Sequence, residues 1–330
     1  MSKNTENNLH LQVKDLTIGF RTRQGEAEAV RRISFQLRQG EILGFVGESG
    51  SGKSVTCKSI IGLLPENVTL SGDILFHGKN LLACTEKEME KYRGRHISMV
   101  FQEPMGSLDP SFRIEQLLQE VIMVHDPCSR EEARRRSLDM LKKVDIADPV
   151  NCLKRYPFEL SGGMQQRIMI AMALLCRPEI LLADEPTTAL DVITQGQILD
   201  LLRRLNDELG TSVILISHDM GIVAQTADRV AVMYCGQIVE TADVQDLINH
   251  PMHPYTEGLL ASLPERQTGG EELRTIPGTV PSIYNIPSGC TFHNRCPYAR
   301  SVCAAEAPPM LMHDGREVLC WRHHERYQNG

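Results

Sequence analysis

Aromatic residues are scarce in this chain. They make up 5% of it, with a single Trp, too few for base-stacking platforms to be its main business. A basic excess is missing as well. Lys and Arg number 35 against 42 Asp and Glu, a net charge of −7, whereas a nucleic-acid binder ordinarily carries a surplus or a face of positive charge. No apolar run approaches the roughly 18 residues of a membrane helix. The nearest, Ile168 to Cys176, stops at Arg177-Pro178-Glu179, so the chain is not expected to cross a membrane by itself. Met1 to His10 is polar and has no apolar core of the kind a signal peptide needs, and the expectation is a cytoplasmic chain. Cysteine, by contrast, is plentiful: there are ten. In a reducing compartment these stay thiols unless they bind metal or do redox work.

The length of 330 residues leaves room for about two domains. With 42% hydrophobic and 23% charged residues the composition is that of a soluble globular protein. Leu11 to Phe20 and Ala29 to Leu37 read as strands joined by a polar hairpin loop containing Gly25. Glu41 to Val46 is a short apolar strand that runs into a glycine-rich turn. Helical spacing follows over Lys53 to Leu64, with Pro65 closing it, and Ile74 to Phe76 and Ile97 to Phe101 are further strands. From Pro104 to about Leu160 the pattern turns helical, around Ile114 to His125 and Ser129 to Val144, with Ser129 and Glu132 as a capping box. Leu138, Leu141 and Val144 form the apolar stripe of the second segment, which leaves Arg134, Arg135 and Arg136 on a solvated face. After Ser161, apolar strands at Ile180 to Ala183, Ser212 to Ile216 and Val230 to Tyr234 alternate with helices such as Thr194 to Leu209, as in a buried parallel sheet.

The chemistry begins at Gly47-Glu48-Ser49-Gly50-Ser51-Gly52-Lys53-Ser54, which fits G-x-x-x-x-G-K-[ST] between a strand and a helix. The glycines let successive backbone N–H groups turn toward phosphate oxygens, and the helix N-terminus adds partial positive charge. Lys53 can reach the β- and γ-phosphates, the Ser54 hydroxyl is an oxygen donor for Mg²⁺, and Val55 continues the binding segment. The apolar strand Ile180 to Ala183 ends in Asp184-Glu185. Asp184 is placed to hold Mg²⁺ and Glu185 to polarise the attacking water; a capping acid pair is the bland alternative. Ser161-Gly162-Gly163-Met164-Gln165 opens another helix and offers a second anion site. Gln102, after a strand, can contact metal and water. His218 ends a strand where ligands of α/β sheets bind.

Taken together, these motifs resemble the ATP-binding subunits of ABC transporters over about Leu9 to Ser262. The resemblance implies a P-loop (RecA-like) α/β fold: a parallel-sheet core with an antiparallel β subdomain and a helical insertion. It implies that two such domains meet head to tail around ATP. Lys53, Gln102, Glu185 and His218 would act on one face, while Ser161, Gly162, Gly163 and Gln165 close over the partner's ATP. Ala189-Leu190-Asp191 matches the loop that couples the two sites, and Phe20 is either an adenine platform or an ordinary strand-end aromatic. Glu103 to Pro110 and the helical insertion match the grip on membrane subunits.

Cys290, Cys296, Cys303 and Cys320 lie in a Pro- and Gly-rich tail that needs a staple. Four thiolates can bind Zn²⁺ or hold an iron–sulfur cluster, or stay unligated; His293, His323 and His324 are nearby substitutes. Cys57, Cys84, Cys128, Cys152, Cys176 and Cys235 lack ligand-like spacing. Gly289 to Pro297, with His253-Pro254-Tyr255-Thr256 upstream, resembles the C-terminal extension of the dipeptide/oligopeptide/nickel importer ATPases, the dipeptide subunit most of all. That resemblance implies a [4Fe-4S] cluster in preference to zinc. It also implies a second ATPase chain in a heterodimer, two permeases, an extracytoplasmic peptide-binding protein reached through them, and a peripheral place on the cytoplasmic face of the bacterial membrane.

The expected organisation is therefore an ABC ATPase domain over 1–263, its helical part at about 104–160, and a small Cys-rich extension over 264–330. The expected function is ATP hydrolysis that powers peptide uptake. Import of nickel or another small solute by the same machinery is the alternative. A soluble ATPase of translation or repair fits less well, since tandem ATPase domains and long coiled-coil inserts are not seen in the sequence, and an ATPase of iron–sulfur assembly fits less well because such chains are shorter and are not expected to carry this tail.

Overall fold

The computed structural model describes residues 9–23, 25–102, 104–188, 190–263, 275–313 and 315–328, the side chains of Pro104 and Met105 excepted. Glu103, Ala189, most of the polar N-terminal segment and the first part of the tail lie outside the described residues. Along the chain come strands β1 (Leu9–Thr22), β2 (Gly25–Arg38) and β3 (Ile42–Val46), helix α1 (Lys53–Ile60), strands β4 (Val68–Phe76) and β5 (Lys79–Asn80), helix α2 (Glu86–Met89) and strand β6 (Ile97–Val100). A run of helices follows: α3 (Pro104–Ser107), α4 (Ile114–His125), α5 (Arg130–Lys143), α6 (Pro149–Lys154) and α7 (Gly162–Leu174). Strand and helix then alternate through β7 (Ile180–Asp184), α8 (Val192–Leu209), β8 (Ser212–Ser217), α9 (Met220–Thr226), β9 (Arg229–Tyr234), β10 (Gln237–Asp243), α10 (Val244–Asn249) and α11 (Pro254–Ala261). The tail adds α12 (Ser301–Ala305), β11 (Leu311–His313), β12 (Arg316–Val318) and α13 (Glu325–Gln328). Helix α1 stops at Ile60 rather than Leu64, because Gly62 turns left-handed at φ 64.

Two compact units form, each from several stretches of chain: Met1–His10, Leu37–Ile42 and Ala83–Ile216 in one, Leu11–Gln36, Leu43–Leu82 and Ser217–Gly330 in the other. In the first, β6, β7 and β8 run parallel, Ile97 opposite Ile180 and Ile180 opposite Ser212. Every residue of β7 and β8 is buried, which explains the apolar runs Ile180 to Ala183 and Val213 to Ile216. The register brings the C-terminal ends of β6 and β7 side by side, so Gln102 and Glu185 emerge at the same edge. On α5 the buried face is Ala133, Ser137, Met140 and Leu141, with Leu138 only partly covered. Ser137 is tolerated there because its hydroxyl donates to the Ala133 carbonyl, 2.8 Å away. Ser129 caps this helix, accepting from the Glu132 amide at 3.1 Å. The three adjacent arginines each meet a carboxylate, Arg134 on Glu115, Arg135 on Glu132 and Arg136 on Asp126, so they present no unbalanced basic patch.

The second unit holds the antiparallel order β2-β1-β4-β5, with a register shift between Lys14 and Thr17 where Asp15 takes φ 45. It also holds β3 parallel to β9, and β10 antiparallel to β9. The tail packs on the sheet beside it. Strand β12 pairs with β10, Glu240 opposite Val318, and Val318 and Cys320 pack on Met252 and Leu311. Tyr234, Tyr255 and Phe292, all fully buried, meet with centroids 4.7, 5.2 and 5.4 Å apart. Each such pair contributes about 0.5–1.5 kcal/mol beyond the area it buries. The small tail thus borrows the core of the sheet beside it. Among the described residues no helix is long and apolar enough to cross a membrane.

Candidate functional site

The loop between β3 and α1 belongs wholly to the second unit. Gly47 has φ 154, and a Cβ there would stand 2.1 Å from the Met233 carbonyl oxygen. Gly52 has φ 103, and its Cβ would stand 2.7 Å from the Ala29 oxygen. No other residue type fits either position, which is why the loop can lie flat on the backbone beneath it. Lys53 is buried, and its ammonium donates to the carbonyls of Gly47 at 2.7 Å and Glu48 at 3.0 Å, and to the Ser51 hydroxyl at 3.3 Å. Its charge is therefore folded into the curl of the loop. Ser49 and Gly50 are exposed at the tip, while Ser54 and Val55 are partly buried on the first turn of α1. Phe20, near the end of β1 opposite Val68, is partly exposed. His218 is exposed after β8, and the neighbouring Asp219 caps α9, accepting from Gly221 N at 2.7 Å.

The first unit carries the acidic pair. Asp184 is buried at the end of β7. Glu185 follows with φ 47, a left-handed conformation that costs a non-glycine residue about 1–3 kcal/mol and clusters at functional sites. Its amide donates to the Ile216 carbonyl at 3.1 Å. Its carboxylate Oε2 accepts from Gln102 Nε2 at 2.9 Å and from Thr188 Oγ1 at 2.8 Å. The backbone strain and the two donors together aim this carboxylate.

Helix α7 begins at Ser161, whose hydroxyl accepts from Met164 N at 3.4 Å. Ser161 and Gly162 are exposed there, and Gly163 is partly so. Gln165, expected to face a ligand, turns inward instead. It is buried, and its amide donates to the carbonyls of Pro157 and Leu160 at 2.9 and 3.2 Å, so it pins the turn that presents Ser161. Asp191 caps α8, accepting from Thr194 N at 3.0 Å and from the Thr194 hydroxyl at 2.7 Å. Those bonds hold its carboxyl below the usual aspartate range. Val192 and Ile193 beside it are 82% and 76% exposed.

The four late cysteines gather in the tail. The Cys290 amide donates to the Cys303 carbonyl at 2.7 Å. Cys303 and Cys320 are buried, Cys290 and Cys296 partly so. Burial pushes the Cys290 thiol up to about 11 and that of Cys320 up to about 12, and Cys296 rises too; in each case neighbouring cysteines of the four add to the rise. Among the described residues, however, no three His, Cys, Asp or Glu side chains converge as ligands of one metal ion. His293 Nδ1 lies 2.8 Å from the Cys290 carbonyl, His323 Nε2 3.0 Å from that of Met252, and His324 Nδ1 accepts from Arg326 N at 3.1 Å. These bonds engage the three substitute histidines with backbone.

Sequence reasoning did not single out Thr188, although it stands three residues after the acid it contacts. It also missed what grips Glu48. Arg295 forms a bidentate pair with that side chain, Nη1 to Oε2 at 2.7 Å and Nη2 to Oε1 at 3.0 Å, and Tyr255 Oη accepts from its amide at 2.8 Å.

Residues 30–188 match the family model described as ABC transporter, and residues 239–303 match that of the oligopeptide/dipeptide transporter C-terminal region. The oligopeptide transport ATP-binding protein OppD of Bacillus subtilis is 48% identical, over 95% of this chain and 89% of its own. The dipeptide transport ATP-binding protein DppD of the same organism is also 48% identical, over 97% and 96%. Among solved structures, the dimeric bacterial ABC transporter cassette MJ0796 superposes with a TM-score of 0.64 at 29% identity, covering 71% of this chain and 98% of its own. A strand–glycine loop–helix, a strained acid after a buried one and near full-length likeness thus agree: the chain belongs to the ATP-binding subunits of ABC transporters, in the group that carries the oligopeptide/dipeptide transporter C-terminal region.

Proposed function

We propose that this chain hydrolyses ATP to drive uptake of di- and oligopeptides through partner membrane subunits. The observation that carries the chemical half of this reading is Glu185, strained in backbone and fixed in side chain by Gln102 and Thr188 directly after buried Asp184. Phosphoryl transfer needs little covalent help; it needs the attacking water oriented and the developing charge met. Glu185 takes the first task with Gln102 and His218, the catalytic trio. The phosphate-loop amides from Gly47 to Ser54, the Lys53 ammonium and the start of α1 take the second, with Phe20 and Val55 at the nucleotide's margin. Ser54, Asp184 and Gln102 are oxygen donors of the kind Mg²⁺ prefers, and the ion when bound neutralises phosphate charge.

Each chain has one set of motifs, so Ser161, Gly162 and Gly163 serve a nucleotide held by a second ATPase, with Gln165 as their support and Asp191 at the joint. Exposed Val192 and Ile193 support such a joint. Peptide as the cargo rests on the C-terminal region and on the names of the relatives. The remaining partners are two permeases and, through them, an extracytoplasmic peptide-binding protein, which places the chain peripherally at the cytoplasmic face of the membrane.

We assign Cys290, Cys296, Cys303 and Cys320 to a [4Fe-4S] cluster in preference to zinc. A tetrahedral zinc with bonds of ~2.3 Å brings its thiolates to about 3.8 Å from one another. Four cysteines in one short lobe, joined by the Cys290 amide on the Cys303 carbonyl, supply the thiolate number such a cluster takes. When bound, the group cross-links the tail.

The test is Glu185→Gln in the complex with its permeases. Peptide-stimulated ATP hydrolysis should fall at least a hundredfold while ATP still binds. Undiminished turnover would remove Glu185 from the role. Failure of permeases and a second ATPase to co-purify from solubilised membranes would defeat the importer assignment.

A further inference from the structure

The grip on Glu48 links two parts of the chain that the transport reading leaves unconnected. Arg295 lies between Cys290 and Cys296 in the tail, 247 residues from its partner. Its side chain is 5% exposed and that of Glu48 31%, so the pair is shielded more than a surface ion pair, which contributes little. The guanidinium uses its whole fork. Two nitrogens hold the Glu48 carboxylate, and Nε donates to the Pro277 carbonyl at 2.9 Å. Its carbon lies 5.8 Å from the centroid of the Tyr234 ring. Tyr255 Oη holds the Glu48 amide from the other side. Glu48 is thus fixed at both side chain and backbone, and its carbonyl is among the acceptors that hold the Lys53 ammonium.

We propose that Arg295 is a positioning residue of the ATP site. Through Glu48 it holds the phosphate loop and Lys53 in register, and it makes nucleotide affinity depend on the integrity of the four-cysteine lobe. Lys53 ties the loop from within, while Ser49 and Gly50 at its tip are exposed; the clamp on Glu48 adds a hold from outside the loop. Lysine cannot replace the arginine, because an ammonium offers no planar fork.

The inference rests on the phosphate loop being the ATP site, and the experiment separates the two. ATP affinity is measured by equilibrium titration of the full-length chain as wild type, Arg295→Met, Arg295→Lys, Glu48→Ala and the double variant Arg295→Met/Glu48→Ala. Wild type should bind ATP; if it does not, the site itself is misassigned. Arg295→Met and Glu48→Ala should each weaken binding about tenfold, ~1.4 kcal/mol, with Arg295→Lys close behind. The double variant should be little worse than either single one. In the assembled transporter, the KM for ATP should rise in Arg295→Met with kcat nearly kept, whereas mere loss of folded protein would lower kcat at constant KM. Unchanged affinity in Arg295→Met, or penalties that add in the double variant, would overturn the proposal. Should Arg295→Met fail to fold, wild-type affinity in both Glu48→Ala and Arg295→Lys would overturn it equally.

Discussion

Gln102 and Glu185 meet although 83 positions separate them, the amide Nε2 standing 2.9 Å from the carboxylate Oε2. The neighbouring parallel strands β6 and β7 deliver them to the same edge, and Thr188 adds its hydroxyl to the same oxygen. The carboxylate is oriented by neutral donors, so no competing charge stands against it within this contact.

Gln102→Glu replaces the donor with a second carboxylate. Two carboxylates at this separation cannot both ionise freely, and the pair's upper pKa rises. ATP turnover should fall, and its rise with pH should move to higher pH than in the wild type. Steady-state hydrolysis measured between pH 6 and 9 checks this; an unchanged profile would show that the contact does not govern the carboxylate.

Cys296→Ser removes one of the four late thiols. A chain purified without oxygen should show broad visible absorbance and bound iron, and the variant should lose both along with some resistance to thermal unfolding. Colourless wild-type protein with one zinc per chain would refute the cluster.

His253 is wholly buried at the start of α11, where its Nδ1 accepts from Tyr255 N at 3.0 Å. Burial, helped by nearby His323 and Arg322, pushes its pKa down to about 3. The unfolded chain binds a proton near pH 6.5 and the folded one does not, so stability is lost as pH falls through the interval between those values. The slope for one proton is ~1.4 kcal/mol per pH unit. His253→Asn keeps a capping oxygen and removes the titration. The loss of stability between pH 6.5 and 5, read from urea midpoints, should shrink in the variant.

Local physics explains what the sequence made readable. The phosphate loop announces itself because a fully buried, largely apolar strand, two obligatory glycines and a helix follow in order, each with its own signature. Helix α4 coincides with its apolar spacing, and Ser129 caps α5 as its hydroxyl suggests. The buried face of α5 was harder to foresee, since Ser137 counts as polar until its hydroxyl is seen bonded within its own helix. Gln165 shows a limit of spacing: an amide beside an anion-binding turn can serve the ligand or the turn, and only the fold places it on the carbonyls of Pro157 and Leu160. Strands β11 and β12 have three residues each, too short for any period to show. The clamp of Arg295 on Glu48 has no local signal at all, because only the folded sheet brings position 295 back to position 48.

The pairing of β12 with β10 also bears on how the molecule is made. Synthesis delivers β10 long before β12, so the nascent chain leaves the β10 edge bare until residues 316–318 have emerged. An uncovered strand edge is a template for pairing with other chains. A chain that stops short of residues 316–318, or is clipped before them, would leave that edge open to pairing with other chains, and β12 is the strand that covers it.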